Sequence, residues 1–241
     1  MVLRRSTSSN QNPVLFVFTA IMKWRWCGAY VVCLLVALTA AAGAQRPAGA
    51  VRQEREQATR EAPKLAELLG LKPAMTVADI GAGGGAMSVE MAKWLGPKGR
   101  VYATDIGAAQ LAEITAAVKE AALSNVVVLQ GGASSTNLPN ACCDAIFLRD
   151  VYHHLTRPQE FDASLLTALK PGGRLAIMDF PPDPGSAVPA GVPSNRGGHG
   201  ITTSMIVTEV TGAGFRHLTT MPQWPPDNAR DRLFFVMFEK P

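Results

Sequence analysis

Cysteine is scarce in this chain of 241 residues, which has only four, and two of them, Cys27 and Cys33, lie within the first 44 residues. The other two, Cys142 and Cys143, are adjacent, and a structural disulfide between neighbours demands a strained turn. Adjacent cysteines also lack the spacing of zinc ligands. We therefore expect no disulfide framework and no metal site.

Net charge is missing from most of the chain as well. The formal charge is +4, but residues 1–44 carry four basic residues and no acid, which leaves 19 basic and 19 acidic residues in the remainder. No basic cluster in that remainder forms an electrostatic footprint for a phosphate backbone, so nucleic acid is disfavoured as a partner. With 47% hydrophobic residues, the chain has the composition of a globular domain.

The first 44 residues predict a segment for export. Lys23 and Arg25 precede an apolar run from Cys27 to Ala42, and Ala42-Gly43-Ala44 then forms a cleavage site of the A-x-A type. Met22 stands directly before this segment, and we expect it to be the true start. An uncleaved membrane anchor stays open, because the run approaches the ~20 residues that span a bilayer. We expect a periplasmic, extracellular or anchored protein, with a cytoplasmic location as the alternative and no other membrane contact.

Helices and strands alternate after a short linker at residues 45–50. Residues 51–61 are polar and predict either a solvated helix or more linker, and a helix is expected to start near Pro63. Strands are predicted at 76–80, 100–104, 126–130, 145–149 and 174–179, and helices at 86–95, 108–123 and 159–169. This order indicates βαβ units with a parallel sheet. After a long loop at 181–200, a helix at 203–211 precedes strands at 217–221 and 233–238, which predict a hairpin with an antiparallel last strand.

A glycine-rich turn, Gly81-Ala82-Gly83-Gly84-Gly85, joins the first of these strands to its helix. Glycines allow a tight turn and let a ligand approach the backbone at a helix N-terminus. The same letters satisfy the G-x-G-x-x-A form of a dinucleotide fingerprint. Asp79 favours a cationic ligand and would repel a pyrophosphate, whereas Asp105, at the end of the next strand, suits a ribose in either class. An NAD(P)-dependent oxidoreductase is the less favoured alternative, because no Tyr-x-x-x-Lys appears.

Four segments together carry a resemblance to a known family: VADIGAGGG, YATDI, DAIFLRDVYHHL and LKPGGRLAIMDF. In order and spacing they resemble the class I S-adenosylmethionine-dependent methyltransferases, closest to the small-substrate branch called methyltransferase type 11, over residues ~60–240. The likeness implies an α/β fold: a Rossmann-like, doubly wound, mostly parallel seven-stranded sheet with an antiparallel last strand, here over residues 51–241. It also implies S-adenosyl-L-methionine as the cofactor.

The resemblance also implies which residues hold the cofactor. Its methionine end would be surrounded by Asp79, Gly81, Ala82, Gly83 and Gly85. Its ribose would be bound by Asp105, and its adenine would be contacted by Ile106, Ala133 and Ser134. Arg149 would line the binding pocket after the fourth strand. Many relatives have Gly-Asp-Ala after the third strand, where this chain has Gly131-Gly132-Ala133-Ser134. Adenine would therefore be contacted by backbone and hydroxyl groups.

The implied reaction is an in-line methyl transfer to a small-molecule acceptor, for which the enzyme mainly holds the reactants in position. The candidate catalytic residues are Asp150, Tyr152, His153 and His154, which follow the fourth strand, with either histidine as a general base. His199 would close over the site from the glycine-rich loop. Metal-dependent transfer is disfavoured, because the only Asp-Asn pair, Asp227-Asn228, comes too late in the chain.

One further alternative stays open. S-adenosylmethionine is made in the cytosol, so an exported chain could be a non-catalytic binding protein that keeps the methyltransferase fold. The sequence predicts neither the acceptor atom nor the oligomeric state.

Overall fold

The computed structural model describes residues 46–227 and 232–241. The predicted export segment, with Met22 and the cleavage position after Ala44, lies outside the described residues. Of the helices in the described ranges, none combines the length and the apolar character needed to cross a membrane.

A seven-stranded sheet forms the centre of the fold, in the order β3-β2-β1-β4-β5-β7-β6. The strands are β1 (Thr76–Ile80), β2 (Arg100–Asp105), β3 (Val126–Gln130), β4 (Cys143–Arg149), β5 (Leu169–Asp179), β6 (Arg216–Trp224) and β7 (Leu233–Glu239). The helices described are α1 (Ala48–Leu68), α2 (Ala86–Leu95), α3 (Ala108–Glu120), α4 (Pro158–Ala168) and α5 (Thr203–Gly212). Strands β1 to β5 pair in parallel, and β7 pairs antiparallel with both β5 and β6. The predicted doubly wound sheet with an antiparallel last strand is confirmed.

Alternate residues of the central strands enter two separate cores, because successive side chains of a strand point to opposite faces. On one face Val77 and Phe147 pack with α1 and α2. On the other face Ile80 and Ile146 pack with α4 and α5. With both faces covered, the central strands are mostly apolar, which is why the sequence shows them as β-branched and apolar runs. Functional groups therefore concentrate at the ends of the strands.

The first helix is longer than its sequence indicates. It was expected to start near Pro63, after a linker at 45–50, but it starts at Ala48 and contains Pro63 in its interior. Proline removes the hydrogen bond to the carbonyl of Thr59, four residues earlier. Both Thr59 and Pro63 are exposed, so water can satisfy that carbonyl and the helix continues.

The chain between β5 and α5 has more structure than the predicted long loop. Asp183 and His199 form an isolated antiparallel bridge, in which Asp183 N donates to His199 O at 2.9 Å. A short 3-10 turn at Ser194–Arg196 lies within the segment. The bridge holds residues 183–199 as a closed loop beside the carboxyl end of β5.

Candidate active site

A cavity of about 340 Å³ lies at the carboxyl ends of β1 and β4, as expected for an open parallel sheet. Its walls include five of the predicted cofactor residues: Asp79, Gly81, Ala82, Gly83 and Arg149. Helices α1 and α2 contribute further wall residues, and Asp150 and Val151 complete the walls: Glu54, Gln57, Ala58, Ala86 and Met87 come from the helices. We call this space the cofactor cavity.

The glycine turn after β1 forms the floor of the cofactor cavity. Gly81 N and Ala82 N donate to Thr104 O at 2.8 and 2.9 Å, which fastens the turn to β2. Gly81 has φ +71°, and an added Cβ would lie 2.5 Å from Cγ2 of Val151. Gly83 has φ +56°, and an added Cβ would meet nothing within 4 Å. The first glycine is needed for packing, and the second faces open space that a ligand can enter.

Asp79 is buried at the end of β1, 3% exposed, and accepts a hydrogen bond from the Ser88 hydroxyl at 2.6 Å. Burial raises the pKa of Asp79 to about 7, and the bond from Ser88 opposes that shift. A carboxylate in a low-dielectric wall strongly favours a cationic ligand. Asp79 therefore suits the ammonium group of an amino acid moiety.

Asp105 points to the same turn from the end of β2. Its Oδ2 accepts from Gly83 N at 3.1 Å and its Oδ1 from Gly107 N at 3.0 Å, which fixes the carboxylate beside the glycine turn. Ile106 is 69% exposed, an unusual exposure for an isoleucine and one that suits a flat apolar ligand. Each carboxylate oxygen keeps a free lone pair for a ribose hydroxyl.

The remaining predicted cofactor residues lie outside the walls of the cofactor cavity. Ala133 and Ser134 follow β3, whose end is joined to β2 because Gly131 N donates to Asp105 O at 2.9 Å. Their contact with adenine, which the resemblance implies, stays a prediction. Gly85 begins α2, and an added Cβ would lie 3.1 Å from Cα of Ile114, so Gly85 allows α3 to pack closely.

A second cavity of about 600 Å³ adjoins the first. The two share three wall residues, Gln57, Arg149 and Asp150. The other walls come from α1, from β5 and its following loop, and from the start of β7: Gln53, Arg60, Phe180, Asp183, His199, Arg232 and Leu233. We call this space the acceptor cavity.

Arg149, which borders both cavities, forms an ion pair with Glu61, a buried acid of α1. Its Nε and Nη2 donate to the Glu61 carboxylate at 2.8 and 3.1 Å, a bidentate pair. Glu61 is 1% exposed and also accepts from Trp224 Nε1 at 3.0 Å. A bidentate pair between a guanidinium and a carboxylate constrains the orientation of both groups, so the position of Arg149 between the cavities is well defined.

Among the predicted catalytic residues, Asp150 faces both cavities. Its φ of +62° is in the left-handed region, which side chains other than glycine rarely adopt and which recurs at functional sites. Desolvation and then the nearby Asp179 raise the pKa of the Asp150 carboxyl. This acid borders the space where the two ligands would meet.

Tyr152 lies in the core, 0% exposed, and lines neither cavity. Its hydroxyl donates to Asp162 Oδ2 at 2.7 Å and lies 3.1 Å from Glu209 Oε2. Burial and the two acids raise the pKa of Tyr152. The geometry gives this residue a packing position behind the site, where it links α4 and α5.

The two predicted histidines differ in exposure. His153 is 1% exposed, and its Nδ1 lies 2.8 Å from Asp179 Oδ1. His154 is exposed, and desolvation together with neighbouring histidines lowers its pKa. His199 comes next to both, with ring centroids 4.8 Å from His153 and 5.6 Å from His154. The predicted position of His199 near the site thus agrees with the described geometry.

Helix α1 contributes the largest group of site residues missed by sequence reasoning. Glu54, Gln57 and Ala58 line the cofactor cavity, and Gln53 and Arg60 line the acceptor cavity. Polar residues made this stretch indistinguishable from a linker. One signal was present: the buried positions 58, 61, 62 and 65 recur at helical spacing, but an acid occupies one of them.

Comparisons with known proteins agree with this geometry. A family model described as a methyltransferase domain matches residues 78–177. A solved S-adenosylmethionine-dependent methyltransferase from Aquifex aeolicus is 26% identical, with a TM-score of 0.61 over 75% of this chain and 89% of that one. Residues 78–177 thus match a methyltransferase domain family, and the chain has the fold of the class I S-adenosylmethionine-dependent methyltransferases. These similarities confirm the predicted cofactor, S-adenosyl-L-methionine, over a dinucleotide.

Two further proteins are similar to this chain. The ubiquinone/menaquinone biosynthesis C-methyltransferase UbiE of Pseudomonas paraeruginosa is 30% identical over 115 residues, which are 47% of this chain and 45% of that protein. This chain therefore matches less than half the length of that relative. The [4+2]-cyclase SpnF shares the fold, with a TM-score of 0.60 at 19% identity over 76% of this chain and 81% of that one. The fold alone thus does not fix the reaction.

Proposed function

We propose that this protein transfers a methyl group from S-adenosylmethionine to a small molecule bound in the acceptor cavity. The observation that carries the proposal is the shared wall: Gln57, Arg149 and Asp150 border both cavities, so two ligands can meet there. The acceptor cavity, at about 600 Å³, is within the range of small-molecule sites. S-adenosylmethionine supplies a methyl group on a positively charged sulfur, which is electrophilic.

The chain's own residues would bind and orient the two ligands. Asp79 and the Gly83 turn bind the methionine end, and Asp105 binds the ribose. Asp150 stands at the shared wall and takes a proton from an acceptor that carries one. Proximity and orientation of this kind account for most of the rate enhancement that such a transfer needs.

Charge at the acceptor cavity supports a small acceptor over a nucleic acid. Arg232 lies at the cavity wall, and its Nη2 is 2.7 Å from Asp183 Oδ1. Arg149 in the same wall pairs with Glu61, and Asp150 adds a further acid, so the wall does not form a basic stripe for a phosphate backbone. The similarity to a quinone-pathway C-methyltransferase is compatible with this class of acceptor.

Calorimetry with S-adenosylhomocysteine tests the cofactor site. We expect one site per chain, and at least tenfold weaker binding for Gly83→Ala, because its Cβ would enter the space for the ligand. Gly96→Ala is the matched control: Gly96 has φ +70°, an added Cβ also meets nothing within 4 Å, and the residue lies away from the site. Both variants carry the same backbone strain of about 1–2 kcal/mol.

The reaction is then tested by mass spectrometry. Incubation with S-adenosylmethionine and small-molecule extracts should yield S-adenosylhomocysteine together with a methylated product. Failure of the parent chain to bind S-adenosylhomocysteine would contradict the proposal. Binding without turnover on any acceptor would favour the alternative of a non-catalytic binding protein.

A further inference from the structure

Three of the chain's four histidines lie close together beside the acceptor cavity, and one of them, His199, lines its wall. His153 and His154 follow β4, and His199 comes from the closed loop after β5. One ring nitrogen from each lies within 4.8 Å of one from each of the others. Residues 45 positions apart in the sequence have thus been brought within reach of one ion.

His153 keeps a free electron pair on one ring nitrogen, Nε2. Asp179 is 0% exposed, and it accepts from His153 N at 3.1 Å and from Phe180 N at 2.9 Å, besides its contact with Nδ1 of His153. A carboxylate can only accept, so Nδ1 carries the proton and Nε2 keeps its lone pair. His153 Nε2 is buried and has no hydrogen-bond partner among the described residues. An aspartate that orients a histidine in this way is a common partner of metal-binding imidazoles.

The loop is built to bring His199 to the other two. His199 N donates to Ser186 Oγ at 2.7 Å, and its carbonyl accepts from Asp183 N. Gly198 and Gly200 flank it with φ +140° and +118°, and a Cβ on either would lie within 2.9 Å of backbone oxygen. Only glycine fits both positions, so the backbone conformation that places His199 is specified by the sequence.

The charges nearby favour a cation. Carboxylate oxygens of Asp150 and Asp179 lie within 4.8 Å of each other and of a ring nitrogen of His153. Two acids at this separation repel each other, and a divalent cation between the histidines and Asp150 would offset that repulsion.

We propose that His153, His154 and His199 bind one divalent transition-metal ion, with Zn²⁺ as the ion that suits three neutral imidazoles. Zinc bound at ~2.0–2.1 Å in a tetrahedral site brings nitrogen atoms to about 3.4 Å from one another. The exposed ring of His154 and the loop position of His199 allow that closure. Three protein ligands leave one position open, toward the acceptor cavity.

The open position specifies a class of acceptor, and this part rests on the proposed function. His199 and Asp150 line the acceptor cavity, so a ligand atom there reaches both the metal and the acid. An oxygen-bearing acceptor, such as a phenol or hydroxyacid, has the donor atom that would complete four-coordination. The metal site itself does not depend on methyl transfer.

Cobalt absorption tests the site on untagged protein freed of metal by dialysis against a chelator. Co²⁺ should bind at one equivalent per chain with the visible absorption of a four-coordinate ion, and Zn²⁺ should displace it. His154→Ala and His199→Ala should each weaken binding at least tenfold. His217→Ala is the matched control, because this fourth histidine lies on β6 with its Nε2 bonded to Thr220 Oγ1, and it should leave binding unchanged.

Two results would overturn the metal site: equal affinity in the parent and in His154→Ala, or a thiolate charge-transfer band, which would indicate cysteine ligands. His154 is exposed, so its variant should fold, and circular dichroism checks that it does. S-adenosylhomocysteine binding is measured on the same samples. Retained nucleoside binding without cobalt binding would refute the metal site and leave the proposed function standing.

Discussion

Burial and ligand charge have opposite effects on the ionisation of Asp79: burial favours the protonated form, whereas a cationic ligand favours the carboxylate. Its pKa of about 7 lies well above that of an exposed aspartate, and desolvation is the main cause. Between about pH 4 and 7 the folded chain therefore holds a proton that the unfolded chain has lost. Stability falls as pH rises through that window, by up to roughly 1.4 kcal/mol per pH unit. The same loss of a proton prepares the site for a cation.

We therefore predict that S-adenosylhomocysteine binds several-fold more tightly at pH 7.5 than at pH 5.5, because its ammonium group gains an ionised partner. Asp79→Asn should bind weakly with a flat profile over this range. Calorimetry at four pH values measures both. An unchanged slope in Asp79→Asn would assign the titration to another group.

The residues that sequence reasoning could place are those with a local signal. Asp79 lies near the end of β1 and the glycine turn follows it directly, so the backbone geometry of the strand end determines where they lie. Tyr152, by contrast, adjoins the two histidines in the sequence but lies in the core beneath them, since the 3-10 turn at Tyr152–His154 points its side chains in different directions. Which side of such a turn faces a cavity depends on packing from α4 and α5.

At the scale of elements, the sheet and most helices could be predicted, because the spacing of apolar residues and the glycines at element ends indicate the same boundaries. The strands at 76–80 and 126–130 and the helix at 86–95 have the expected bounds. Helix α1 could not be predicted, because its apolar face is broken by Glu61 and its interior contains Pro63. Its burial depends on Arg149 and Trp224, more than 80 residues away, and local patterns carry no such information.

Glu61 should therefore support both α1 and the site. We predict that Glu61→Gln lowers the free energy of unfolding by about 2–3 kcal/mol, because the partly buried Arg149 guanidinium would lose the carboxylate of its bidentate pair. Urea denaturation measures the loss. Glu56→Gln on the same helix is the control: its pair with Arg52 is exposed at 3.9 Å, so a change above ~0.5 kcal/mol there would point to helix propensity instead.

At the scale of the whole molecule, the charge is divided between a basic leader and a neutral remainder. The export segment stays a prediction, as does its cleavage. In a bacterial host we expect the chain to leave the cytoplasm and to start at Gln45, because signal peptidase needs small residues at positions 42 and 44. Cell fractionation and intact mass measure both, and Ala44→Leu should block cleavage. A cytoplasmic chain that keeps its leader would contradict this prediction.

The position of the Arg149 guanidinium between the two cavities has a thermodynamic consequence. Because Arg149 borders both cavities, each ligand would interact with the same guanidinium charge, and we expect the two bindings to be energetically coupled. Such coupling is reciprocal: the factor by which a bound nucleoside tightens an acceptor must equal the factor by which the acceptor tightens the nucleoside. An acceptor can accordingly be sought by how strongly it slows nucleoside release, before any product has been identified.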